Sequence, residues 1–408
     1  MNARTLRTRV ASLAAGATAL ALFGLHNPGY PALTDIAQAP LATVPLDAVL
    51  PNLMFILDDS GSMTRDHMPD EVDNSICKSC SSGSCDISST TCAAGHPPFY
   101  AASFNTMYYN PQVQYKPGVD FAGASLGNAS PTAANNDPYI SGQGAKNLVT
   151  TWTDIYWCTT SAPTAGQLAD PNVCRRNGIN TDIPFVYKNL STGNDYSGGL
   201  PTVVFRIPVT RNGNPHYYSI APREHCTDAT LSVCTLSDTP TTISGSVFNV
   251  PALVRWCSSK ANAASTTAVS GGSPALCQSK VFGSYAFPRL GKITRTDIVP
   301  ATATYSDGDR TKRADCAAAP VCSYAEELQN FANWYSYYRT RMLMMKTVSG
   351  RAFMPIDERY RIGFTTINAT SSAKYLKIDS FNATQKQAWY NKFYAQTGSG
   401  FTPLRQAL

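Results

Sequence analysis

Apolar and polar positions divide this chain into two textures. The first clear signal is Leu53-Met54-Phe55-Ile56-Leu57, an unbroken apolar run that stops at Asp58. Such a run predicts a strand buried on both faces. From about Met63 to Val321, Ser, Thr, Asn, Gly and Pro dominate, broken by short β-type runs at 202–209, 216–220 and 246–250. Arg211-Asn212-Gly213-Asn214 between the first two is turn chemistry, so they are expected to form a hairpin. The texture changes back at Tyr324. Leu328, Phe331, Trp334, Tyr335, Tyr338 and Met342 recur at three- and four-residue steps, which predicts one amphipathic helix over 324–348. Glu326 and Glu327 near its start, with Arg339, Arg341 and Lys346 towards its end, suit the helix dipole. Its apolar face is expected on the sheet that begins at Leu53. Met342, Met344 and Met345 read as core packing rather than as a soft-metal site. Residues 361–367 and 375–378 read as strands. Residues 384–394 read as a helix with Trp389, Phe393 and Tyr394 as its apolar face.

Strand, long interruption, helix, strand, strand and helix is the opening half of an α/β, doubly wound domain. The interruption is a large, disulfide-rich and β-rich insertion. The expected division is a signal peptide at 1–39 and a linker with the first strand and its following loop at 40–63. The Cys-rich insertion follows at 64–321, and the α/β domain continues over 322–408, ending C-terminally incomplete.

With 408 residues, the chain has room for two or three domains. Charged residues are only 15% and the net charge of +6 is scattered, so no basic tract marks a nucleic-acid partner. Arg4, Arg7 and Arg9 precede an apolar stretch over 11–25 that is too short for a membrane span. Ala37-Gln38-Ala39 has a small-x-small cleavage pattern, although the following Pro40 leaves the cut point open. No later apolar run could cross a bilayer, so an exported protein without a membrane-spanning helix is expected. Twelve cysteines fit an oxidising compartment. Cys77, Cys80, Cys85 and Cys92 form a tight cluster, for which zinc is the competing reading. The others fall into neighbouring pairs: Cys158 with Cys174, Cys226 with Cys234, Cys257 with Cys277, and Cys316 with Cys322.

The candidate chemistry lies where the first strand ends. Asp58-Asp59-Ser60-Gly61-Ser62 places a carboxylate and two hydroxyls at a strand's carboxyl end, where open α/β folds bind ligands. Asp58, Ser60 and Ser62 make a hard oxygen set, suited to Mg²⁺ first and then to Ca²⁺ or Mn²⁺. Gly398-Ser399-Gly400-Phe401-Thr402-Pro403-Leu404 supplies a second piece. Pro403 suits the first turn of a helix and Thr402 its cap, from which the hydroxyl could reach a neighbouring metal.

Together, Asp58, Ser60, Ser62 and Thr402 resemble the metal-ion-dependent adhesion site of von Willebrand factor A domains. A third loop of that pattern adds an Asp, which this chain does not reach. Met107-Tyr108-Tyr109-Asn110-Pro111, Tyr217-Tyr218-Ser219-Ile220, Cys226-Thr227-Asp228 and Thr294-Arg295-Thr296-Asp297-Ile298 extend the resemblance. With residues 52–63 and Thr402-Pro403-Leu404, they are similar to the PilY-type family of type IV pilus tip-associated adhesins. Gln38-Ala39-Pro40-Leu41 also looks like that family's mature start. The resemblance implies a partial A-like domain, minor pilins and a host or surface ligand as partners, and a location in the periplasm, outer cell surface and pilus tip. A C-terminal β-propeller with its own calcium site is also implied, beyond this chain. Phe401 departs from the family's second Gly before Thr-Pro-Leu.

A secreted metal-dependent binding protein unrelated to pili is the alternative. An enzyme is not expected. Asp58 and Asp59 are adjacent on a strand, so they face opposite ways and make no acid–base pair. His26, His67, His96, His216 and His225 show no ligand spacing, and His216 and His225 are expected at the surface. No Gly-x-Ser-x-Gly, phosphate loop or dinucleotide fingerprint occurs.

Overall fold

The computed structural model describes residues 50–69, 99–160, 162–176 and 207–404, apart from 260–261, 264, 266, 270–275, 281, 283, 286 and 370. The signal segment, residues 40–49, and Cys77, Cys80, Cys85 and Cys92 lie outside the described residues. The described residues build several small sheets with few helices and four disulfides. The main strands are β1 (Asn52–Leu57), β2 (Trp152–Cys158), β3 (Ile207–Gly213), β4 (His216–Ala221), β5 (Lys292–Asp297), β6 (Arg361–Thr366) and β7 (Tyr375–Ser380). The main helices are α1 (Tyr324–Tyr337), α2 (Arg341–Phe353) and α3 (Ala383–Tyr394).

One sheet joins the two ends of the described chain. β1 runs parallel to β6, with Leu53 opposite Ile362 and Leu57 opposite Thr366. β7 runs antiparallel on the other side of β6. Gly363 permits this spacing, since a Cβ there would lie 2.9 Å from both Leu376 O and Met54 Cε. Phe55 packs edge-on against Trp389 and Phe393 of α3, in a core shared by Leu57, Met342, Ile362 and Phe364. β1 is less covered than its apolar run predicts: Leu53 and Ile56 remain 38% and 39% exposed. Among the described residues β1 is the edge of its sheet, so a neighbouring strand flanks it on one side only.

The single helix expected over 324–348 is two helices. α1 stops at Tyr338, and α2 restarts behind Thr340, whose hydroxyl accepts the Leu343 N–H at 3.3 Å. A capping hydroxyl satisfies an amide that no helix carbonyl can reach. The break sends the two halves to different cores. Leu328, Phe331, Trp334 and Tyr335 pack with Tyr108, Tyr109 and Trp152, not on the sheet as expected, whereas Met342 of α2 does reach the sheet's core. The aromatic wall of the insertion explains the choice. Trp334 finds the rings of Tyr108 at 4.9 Å and of Tyr109 and Trp152 at 6.0 Å, and its Nε1–H donates to Met107 O at 2.9 Å.

The expected hairpin also fails. β3 pairs with β2, whereas β4 pairs with β5, both antiparallel. Arg211-Asn212-Gly213 continues the strand instead of turning. A Cβ at Gly213 would lie 2.8 Å from the Asp154 Cβ, so this glycine serves a close strand approach.

Bridges form between Cys158 and Cys174, Cys226 and Cys234, Cys257 and Cys277, and Cys316 and Cys322. These are the four pairs expected from proximity. The first three join residues directly opposite in antiparallel strands. Strands of two or three residues bury too little to hold themselves, and a crosslink removes unfolded-chain freedom instead. Buried ion pairs complete the insertion. Arg295 grips Asp154 with two bonds of 2.8 Å, and Glu224 lies between Arg255 and Arg289 at 2.7 and 2.8 Å. Glu327 of α1 accepts from Arg310, Arg313 and the Tyr109 hydroxyl, each at 2.8 Å.

Candidate metal-binding loop

At the carboxyl end of β1 the backbone turns immediately. Asp58 Oδ1 accepts the Ser60 N–H at 2.8 Å, an Asx-turn that sets the direction of the loop. Gly61–Thr64 then forms a single 3₁₀ turn, with Met63 buried beneath it. The Ser60 and Ser62 hydroxyls meet at 2.8 Å. An octahedral Mg²⁺ with oxygens at about 2.1 Å keeps adjacent ligand oxygens about 3.0 Å apart. The hydroxyl pair therefore fits one edge of such a shell. Asp58 is half-buried beside it, and among the described residues no further hydrogen bond occupies its carboxylate. A divalent ion would be held by Asp58, Ser60 and Ser62. Among the described residues no three His, Cys, Asp or Glu side chains gather as a ligand set, so neutral oxygens would carry much of the coordination.

The 398–402 segment is stitched to this loop by its backbone. Ser399 N–H donates to Asp59 O at 2.7 Å, and Gly61 N–H donates to Gly400 O at 3.1 Å. The glycines make this contact possible. A Cβ at Gly398 would lie 2.9 Å from Ser60 O, and Gly400 has φ +85°. Thr402 follows two residues later, exposed, and the chain turns helical at Leu404. Phe401 between them is 89% exposed.

Asp59, Asn368 and Lys374 are the site's unforeseen members. Asp59 is completely buried. Its Oδ1 accepts the Asn368 backbone N–H at 3.1 Å and the Asn368 amide at 2.9 Å, and Oδ2 accepts Lys374 Nζ at 2.6 Å. Burial pushes the Asp59 carboxyl up, but the bonds from Lys374 and Asn368 outweigh it, so it stays below its ordinary pKa. Asn368 also donates to Phe401 O at 2.8 Å. No sequence signal picks out Asn368: it follows β6, and only the pairing of β6 with β1 brings it to the same end of the sheet as Asp59. Asp58 and Asp59 turn to different partners, one to the loop and one to its supports.

His216 and His225 are buried, not at the surface. His216 Nδ1 pairs with Asn214 O, and His225 Nδ1 with Ser237 O, both at 2.9 Å. Each ring satisfies a backbone carbonyl and fills core space. Tyr108 and Tyr109 of the Tyr-Tyr-Asn-Pro motif are likewise internal, with Tyr108 donating to His216 O at 2.6 Å.

Part of the chain is 33% identical over 105 residues to the type IV pilus biogenesis factor PilY1 of Pseudomonas aeruginosa strain PAK, covering 23% of this chain and 9% of that protein. The protein of the same name from strain UCBPP-PA14 is 33% identical over 111 residues, 23% of this chain and 10% of its own. That of strain PAO1 is 27% identical over 156 residues, 30% of this chain and 13% of its own. The similarity thus spans about a tenth of those proteins' length. No family model matches the chain, and no solved structure matches it. The disulfides and the pilus-associated relatives point to an exported protein. Among the described residues no helix is long and apolar enough to cross a membrane.

Proposed function

We propose that this chain is the N-terminal portion of a type IV pilus biogenesis and tip adhesin protein, exported to the cell surface and pilus tip. In this reading β1, β6, β7, α2 and α3 belong to a von Willebrand factor A-like domain carrying a metal-ion-dependent adhesion site. The observation that carries the reading is the junction of two distant segments. The Asp58 loop and the 398–402 segment, separated by more than 300 residues, are held together by reciprocal backbone bonds. Partial similarity to PilY1 supplies the pilus context.

Asp58, Ser60, Ser62 and Thr402 would hold the cation, Mg²⁺ first and Ca²⁺ or Mn²⁺ otherwise. When bound, the cation would supply a positive centre, since one carboxylate only partly offsets its charge. A carboxylate from a minor pilin or from a host or surface ligand could then bind beside the Asp58 loop, making attachment or tip assembly metal-dependent. The test is calorimetric titration of the full-length protein with Mg²⁺, Mn²⁺ and Ca²⁺. Asp58→Ala is expected to abolish binding and to weaken metal-dependent attachment or piliation. Binding that survives Asp58→Ala would move the ion elsewhere and end this reading.

A further inference from the structure

Among the described residues the Asp59 carboxylate stands apart from the other buried carboxylates. Asp154 and Glu224 lie inside the insertion and pair with arginines there, and Glu327 of α1 pairs with the insertion's Arg310 and Arg313. Asp59 lies beneath the Asp58 loop, and its partners come from two other loops. Asn368 and Lys374 follow β6, and Ser399 precedes Thr402. Asn368 bridges two of these contacts, with its amide on both Asp59 Oδ1 and Phe401 O.

We propose that Asp59, acting through Asn368 and Lys374, is the positioning residue that holds the 398–402 segment against the Asp58–Ser62 loop. The proposal rests on the divalent-cation reading of that loop. Asp59 has no free oxygen to offer an ion, because both already accept bonds from Asn368 and Lys374. Its effect is geometric. It fixes the carbonyl of Phe401 through Asn368, and the amide of Ser399 through its own carbonyl. Thr402 is the next residue. Supports of this kind, one bond removed from the ligands, typically change metal affinity 10–100-fold when lost.

Charge and geometry can be separated. Asn368→Ala changes no charge, whereas Lys374→Met adds net negative charge near the ion. If Asp59 acts only through its field, Asn368→Ala leaves metal affinity unchanged and Lys374→Met strengthens it. If Asp59 positions the loops, both variants weaken Mg²⁺ binding about 10-fold or more. Both should also speed hydrogen exchange at the Gly61 and Ser399 amides, which a field effect does not move. The experiment is Mg²⁺ titration and amide exchange on the full-length protein, wild type, Asn368→Ala and Lys374→Met, with Asp59→Asn as a third variant. Faster exchange at both amides together with weaker binding supports the clamp. Unchanged exchange in Asn368→Ala, or tighter binding in Lys374→Met, overturns it. If the wild type binds no divalent ion, the metal reading fails by itself, and the clamp stands or falls on the exchange at Gly61 and Ser399.

Discussion

His216 should make this protein acid-labile by an amount that its surroundings fix. The ring is fully buried beside Tyr100 and Tyr218, at 5.4 Å from each. Nδ1 is 2.9 Å from Asn214 O, and Nε2 has no hydrogen-bond partner. The Arg295 guanidinium lies close by, with Asp154 and Asp297 paired to it. Burial is the largest influence and Arg295 the second. Both disfavour a second positive charge, and Asp154 offsets them only in part. The ring's pKa falls from 6.5 to about 4. Between those values the unfolded chain binds a proton that the folded chain refuses, so stability falls as pH falls through this window. The contribution is intact above pH 6.5 and lost below about pH 4. At about 1.4 kcal/mol for each pH unit, the loss is about 3 kcal/mol. His216→Gln keeps a donor for the Asn214 carbonyl and cannot titrate. Denaturant unfolding followed by circular dichroism at pH 7 and pH 4 measures the effect. The wild type should lose about 3 kcal/mol more than the variant over that range. Carboxylates titrate in both proteins and cancel in the difference. Equal losses in the two would refute the buried neutral histidine.

Trp334→Ala should cost on the order of 3–5 kcal/mol, because it empties a fully packed aromatic site and strands the Met107 carbonyl; unchanged thermal stability would place the ring outside the core. Glu327→Ala should cost about as much, since it leaves buried Arg310 and Arg313 without their shared carboxylate; calorimetry should show a drop well beyond that of an exposed Glu358→Ala control. Four bridges engage eight of the twelve cysteines, so thiol counting under denaturing, non-reducing conditions should find at most four free thiols; a larger number would contradict the bridged insertion.

Local pattern determined much of this molecule. The apolar run 53–57, the strand texture after Arg361 and the spacing of Trp389 and Phe393 each became the element that their period implies. Side-chain period is a property of a short window, and it survives in any context that gives the window a core. Cysteine proximity worked for a similar reason, because a short loop closes most readily on itself. Partner choice lay outside such windows. Nothing within 202–220 says that β3 joins β2 and that β4 joins β5, because both partner strands lie outside that window. The aromatic stripe of α1 has no label for the insertion core over the sheet, and only the cap at Thr340 lets the two helices part. Sequence alone leaves the burial of His216 and His225 open, because a histidine's burial depends on which carbonyl comes within reach. In the candidate site, Asp58, Ser60 and Ser62 share one loop and so are visible as a motif. Asp59's partners are more than 300 residues away along the chain. The parallel pairing of β1 with β6 brings them to one end of one sheet, and that contact exists only once the chain has folded.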